Sequence, residues 1–413
     1  MDQEKSDIYI SEYIEDGDDF SELSKFEKRK LVARVKGIFE NIRNYDLSLI
    51  TIDANQGLES ICRVFETINS TGTRLTTFDL AVARFYPKPD LRNMHEGSLS
   101  KYSVLKDYDV EGERFLQVTY LVNAYYSGDA HPEPTRSAML LMSREALEKY
   151  WDEAAYGLNE AYKWITSNGV TPATLPSSYP LVSLATILAI KPEIQKDISF
   201  NFNSRLRQWF YSRIFNSSTA SNYMIGMDLA NLRDAVFKGE SLDIKNVKIN
   251  AELLLKLNRN DNRFKAVLCV MALNSEGDLL TGQQLIEDIE YHHIFPRSLA
   301  KNSTVSRIKL ENVLNRLDVS KSTNRKLSDK LPVIYMKNLI KDSELHGVVS
   351  DVKERLAKLL LPDNMSDEGY LNYFEAHNYD DFLDVRASLV MEKIKTVLGN
   401  SVSDPVEEED FDQ

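Results

Sequence analysis

The residues best able to do chemistry lie in Ile289-Glu290-Tyr291-His292-His293-Ile294-Phe295-Pro296. They are followed by Asn315 and by Asn324, within Lys321-Ser322-Thr323-Asn324-Arg325-Lys326. Adjacent histidines closing an apolar strand, then two asparagines nine positions apart, suit phosphodiester hydrolysis at a single metal ion. That reaction needs a deprotonated water and positive charge for the crowded phosphorane and the leaving oxygen. A neutral imidazole serves as general base near pH 7 because its pKa lies there. One divalent cation supplies the electrostatic part if its ligands leave positions open. Successive strand residues point to opposite sides, so one histidine is expected at the metal and the other at the attacking water. Asn324, in the first turn of a following helix, offers a carbonyl oxygen suited to a hard ion such as Mg²⁺ or Mn²⁺.

Charge is distributed to match. From His293 to Lys341 there are eleven Lys and Arg residues, opposed only by Glu311, Asp318 and Asp329. This window carries +8 and leaves −21 for the remainder of a 413-residue chain whose net charge is −13. A basic island in an acidic protein fits a local phosphate-binding groove and argues against indiscriminate coating of nucleic acid.

The elements that must position these groups are mainly helical. Phe26, Leu31, Val32, Val35, Ile38, Phe39 and Ile42 recur at three- and four-residue spacing, as in an amphipathic helix. A β-prone run at Leu47–Ile52 and a helix over Leu58–Ile68 follow, and Thr76 or Thr77 caps the next helix. From Tyr102 to Asp278 the chain reads as successive helices, with Trp151, Trp164, Trp209, Phe210 and Tyr211 expected between them as core rather than as base-stacking platforms. Thr171–Pro180 reads as a loop. Near Tyr291 the period shortens: strands are expected at Glu290–Phe295 and Val313–Val319, a helix at Ser322–Asp329, and further helices at Val349–Leu361 and Phe382–Leu398. The acidic stretch Asp404–Gln413 reads as a disordered tail.

Length predicts more than one domain. Cys62 and Cys269 form neither a zinc-ligand spacing nor a disulfide framework, which suits a reducing cytoplasm. The N-terminus lacks the apolar core of a signal peptide. The longest apolar run, Leu181–Ile190, is half of what crosses a bilayer. A cytoplasmic protein without a membrane partner is expected.

His292-His293-Ile294-Phe295-Pro296, with Asn315 and Asn324, resembles the HNH (ββα-metal) endonucleases, and in particular the C-terminal domain of GmrSD-like type IV restriction proteins. Asn315-Arg316-Leu317-Asp318-Val319 through Asn324 to Lys330 is similar to that family's "GN-L-LL…K-x-N…K" signature, with Leu314 where the family has Gly. The resemblance implies His293 as general base, His292 and Asn324 as metal ligands, and Asn315 as the residue that holds the hairpin loop and orients the base. It also implies Lys321, Arg325, Lys330 and Arg297 as nucleic-acid contacts.

A second stretch, Phe65-Glu66-Thr67-Ile68-Asn69-Ser70-Thr71-Gly72-Thr73-Arg74-Leu75, resembles the "FxxxNxxGxxL" motif of the same proteins' ParB/sulfiredoxin-like N-terminal domain. Gly72 permits close backbone approach to a nucleotide and the Asn69 amide can read a base or sugar edge. A helix C-cap needs the same residues. The domain's "DGQQR" loop is absent, so NTP hydrolysis is not expected of this chain alone. A truncated domain, a split system whose partner chain supplies the missing half, and a degenerate pocket all stay open, as does a homo-oligomer.

The expected architecture is mainly α with a small α+β part. It comprises a partial nucleotide-domain remnant (1–90), a helical middle domain (91–278), a ββα-metal nuclease with helical additions (279–400) and an acidic tail (401–413). The expected function is metal-dependent cleavage of DNA in restriction or antiphage defence. Two other readings stay open: a non-catalytic nucleic-acid or partner-binding subunit, and a nuclease acting on RNA.

Overall fold

The computed structural model describes residues 3–15, 20, 22–46, 75–191, 200–219, 221–273, 277–283, 285, 289–301, 305–365 and 369–405. The expectations for Leu47–Ile52, Leu58–Ile68, Asn69, Gly72 and most of the acidic tail lie outside these residues. The chain divides into two compact units, 1–68 and 69–413.

In the first unit, helix Lys25–Arg43 begins at a capping box in which Ser24 and Glu27 satisfy each other's backbone donors. Its apolar stripe is only partly covered: Phe39 packs edge-on against Tyr9 and Leu31, Val32 and Val35 are half-buried, whereas Phe26, Ile38 and Ile42 are exposed.

The second unit is predominantly helical. Helix Thr77–Phe85 starts at Thr76, whose hydroxyl accepts from the Asp79 amide while the Asp79 carboxylate accepts from the Thr76 amide. Tyr179–Ile190 is the central helix: every residue from Pro180 to Ala189 is buried, surrounded by helices Gly112–Tyr126, Arg144–Ser167 and Asn222–Lys238. Its two hydroxyls are satisfied inside the core, Ser183 donating to the Ile225 carbonyl and Thr186 to that of Val182. Close approach is possible because residue 157 is glycine; a Cβ there would fall 2.1 Å from the Ala185 carbonyl oxygen. Trp151, Trp209, Phe210 and Tyr211 are buried, as helical packing requires. Among the described residues no helix is long and apolar enough to cross a membrane.

Strand is confined, among the described residues, to two small sheets. β1 (Val247–Lys248) pairs in parallel with β4 (Val402–Ser403), so the segment expected as the start of a free tail is instead stitched back onto the helical region. β2 (Ile289–His293) pairs antiparallel with β3 (Arg316–Ser320), His293 opposite Arg316 and Tyr291 opposite Asp318. Both strands differ from their expected bounds. β2 stops at His293 because the Phe295 amide is taken by the Asn315 side chain instead of a strand neighbour. Val313–Asn315 is a 3₁₀ turn capped by Asn312, whose side chain accepts from Leu314 N and donates to the Leu254 and Leu255 carbonyls. A site helix, Lys321–Leu327, follows β3 directly and stops two residues short of the expected end. Helices Val349–Lys358 and Tyr379–Leu398 correspond to the last two expected.

Candidate functional site

The hairpin and the site helix bring His292 and Asn324 together. Asn324 Oδ1 lies 2.7 Å from His292 Nδ1, and because an amide oxygen only accepts, the imidazole must be the donor. Asn324 Nδ2 in turn donates to the carboxylate of Glu290. Glu290 and His292 are two apart on β2 and share a face, as strand alternation dictates. The sequence reading did not single out Glu290; its place two positions before His292 was the available signal.

The Nδ1–H tautomer leaves a lone pair on His292 Nε2, which is buried and has no hydrogen-bond partner. Burial holds the His292 pKa below its ordinary value, against the hydrogen bond with Asn324. A neutral imidazole, a carboxylate and an amide oxygen are donor types that suit a divalent cation, but here Asn324 Oδ1 is engaged by His292 Nδ1–H while the orphaned Nε2 points away from it. Glu290, His292 and Asn324 would together hold the cation only once the hydrogen bond between His292 and Asn324 opened. Among the described residues no group of three His, Cys, Asp or Glu side chains does so.

The junction between β3 and the site helix is built by Asp278. Its buried carboxylate accepts from the Ser320 amide, the Thr323 hydroxyl and the Leu280 and Thr281 amides. Burial would raise its pKa, and these hydrogen bonds reverse that and lower it. Ser320 caps the helix by accepting from Thr323 N. Asp278 therefore sets where Asn324 stands relative to β2, another positioning residue that the sequence reading did not identify.

Asn315 hydrogen-bonds neither histidine. Fully buried, it accepts from Phe295 N at 2.8 Å and donates to the carbonyls of Phe295 and Leu310. It thereby clamps the loop that leaves β2 to the turn that enters β3.

His293 faces away from Asn324. Its Nδ1 is 3.2 Å from Arg316 Nη1 and its Nε2 is 3.6 Å from Glu311 Oε2. Burial, together with the Arg316 charge, depresses its pKa to about 4, so the ring is neutral near pH 7. Glu311 is a carboxylate met by three arginines, Arg259, Arg297 and Arg316. Burial would raise its pKa, but Arg297 and Arg316 hold it at about 2.

Of the remaining expected contacts, Lys321, Arg325 and Lys330 are exposed on or just beyond the site helix, with Lys330 Nζ donating to the Lys326 carbonyl. Arg297 stands with Glu311. Asn69 and Gly72 lie outside the described residues.

No family model matches the chain. It is similar to an uncharacterized protein, MJ0686, of Methanocaldococcus jannaschii, with 24% identity over 395 residues. The match covers 86% of this chain and 65% of that relative, so the chain spans less than two thirds of the relative's length.

Proposed function

We propose that this protein is a metal-dependent endonuclease of the HNH (ββα-metal) type that cleaves DNA, acting in restriction or antiphage defence. The observation that carries the reading is the convergence of Glu290, His292 and Asn324 at the junction of a β-hairpin and the helix that follows it. A bound Mg²⁺ or Mn²⁺ would supply Lewis-acid stabilisation of the phosphorane and the leaving oxygen.

The chain's own residues do the rest. Glu290 orients the Asn324 amide, and Asn324 fixes the tautomer of His292. Asn315 holds the loop that turns at Pro296. His293, neutral at working pH, takes the proton of the attacking water. Lys321, Arg325 and Lys330 provide cationic contacts for the nucleic-acid backbone beside the helix.

The test is conversion of supercoiled plasmid to nicked or linear DNA with Mg²⁺ or Mn²⁺, with and without EDTA, by wild type and His293→Ala. Metal-dependent cutting that disappears in the variant supports the nuclease. Metal-independent binding of DNA, unchanged in His293→Ala and never accompanied by cutting, would assign the chain to a binding subunit. Preference for single-stranded RNA over duplex DNA would move the substrate class.

A further inference from the structure

Beside His293 lies a second polar centre, drawn from four separate segments. Arg259 follows helix Ala251–Lys256, Arg297 opens the turn after β2, and Arg316 begins β3. Glu311 ends the short helix Arg307–Leu310. Arg297 meets Glu311 in a fork, Nε to Oε1 at 2.5 Å and Nη2 to Oε2 at 3.0 Å. Arg259 Nη2 reaches Oε2 at 3.0 Å, and Arg316 Nη2 donates to the same oxygen.

We propose that Arg259, Arg297 and Arg316 form the seat of a substrate phosphate, and that Glu311 occupies this seat until the phosphate displaces it. Three guanidinium groups around one carboxylate leave an excess of two positive charges beside a neutral histidine. Among the described residues none of the three forms an ion pair with another carboxylate. A structural ion pair needs one arginine. One bidentate fork from Arg297 with single donors from Arg259 and Arg316 is an arrangement that also suits the oxygens of a phosphodiester, which presents to guanidinium the same pair of acceptors as a carboxylate.

Burial grades the site. The Arg316 side chain is 10% exposed and Glu311 16%, whereas Arg297 and Arg259 are 44% and 60% exposed. The inner arginine is fixed by the strand and the outer two stand where a polyanion arrives. Steering by the surplus charge brings the phosphate to the one place that also adjoins His293.

The identity of the anion as a nucleic-acid phosphate rests on the nuclease reading, but the seat can be tested without cleavage. Inorganic pyrophosphate is titrated calorimetrically into the full-length protein in EDTA, using wild type, Arg259→Gln, Arg297→Gln and Glu311→Gln. Each arginine variant should weaken binding by about tenfold, the loss expected of one charge-assisted hydrogen bond. Glu311→Gln, which keeps the acceptor but removes the competing charge, should tighten it by a similar factor. Arg259 and Arg297 are exposed enough that their loss leaves folding intact, which thermal unfolding of each variant verifies. Wild-type affinity in both arginine variants, unchanged or weaker binding in Glu311→Gln, or no binding by wild type and Glu311→Gln alike would overturn the proposal. A protein that binds in the expected pattern yet never cuts DNA keeps the anion seat and loses the nuclease. One that cuts while its arginine variants bind normally does the reverse.

Discussion

Arg316 and His293 face each other across the hairpin, with Nη1 3.2 Å from Nδ1. A guanidinium has no lone pair, so the imidazole nitrogen is the acceptor and the ring proton must sit on Nε2, toward Glu311. The two adjacent histidines are therefore opposite tautomers, His292 protonated at Nδ1 and His293 at Nε2. In this tautomer the His293 lone pair is on Nδ1, so the ring takes a proton there once Arg316 releases it, whereas acceptance at Nε2 also requires the Nε2 proton to move to Nδ1. Long-range ¹H–¹⁵N spectra of the metal-free protein should show this pair of tautomers. An Nδ1–H signal assigned to His293 would refute the contact.

Removing a donor should weaken metal binding rather than folding. Asn324→Ala and Glu290→Gln are expected to weaken Mn²⁺ binding, followed by calorimetry, by about 10–100-fold, the range seen when ligands or their orienting partners are lost. Unchanged affinity in both would exclude this cluster as the metal site.

Asn315→Ala should act through stability. The change strips partners from Phe295 N and from the Phe295 and Leu310 carbonyls, all inside the core. Leaving even two such groups unsatisfied costs on the order of 3 kcal/mol. Urea unfolding measures it, and a loss below about 1 kcal/mol would show that the loop finds other partners.

The depressed pKa of His293 links stability to pH. Its folded value of about 4 lies below the ordinary value of 6.5. Between them the unfolded chain binds more protons, so stability rises with pH. The contribution is complete above pH 6.5 and declines as pH falls toward 4. In EDTA, His293→Gln should flatten the stability profile in this window; a profile parallel to wild type would contradict the burial that causes the shift.

Far from the hairpin, Asp228 meets Arg213 at 2.6 Å, both side chains nearly inaccessible. Asp228→Ala leaves the guanidinium buried with the Asp243 carbonyl at 3.4 Å and the exposed Asp243 carboxylate at 3.6 Å. A loss of about 3–5 kcal/mol is expected on breaking one side of such a pair. Chemical denaturation would show it, and a change within 1 kcal/mol of wild type would mean that water or Asp243 takes over.

Local sequence determined much of this. The alternation around His292 and His293, the capping chemistry before Thr77 and Lys321, and the helical spacing of Trp151, Trp209 and Tyr211 are all short-range properties. Backbone geometry and side-chain periodicity express them before any distant contact forms. Asn315 and Asn324 were legible for the same reason, as turn and first-helical-turn residues.

What tertiary structure alone decided is which charged groups stand beside them. Asp278 is 42 positions from Ser320, and Arg259 is 52 from Glu311, so no periodicity links them. Tyr291 faces Thr171, whose hydroxyl is 2.8 Å from its own, because the strand's second face docks on the helical region. Val402 returns to pair with Val247, although its sequence reads as the start of a tail. These partners are selected by the packing of helices around the Tyr179–Ile190 core, a property of the whole chain that no segment carries by itself.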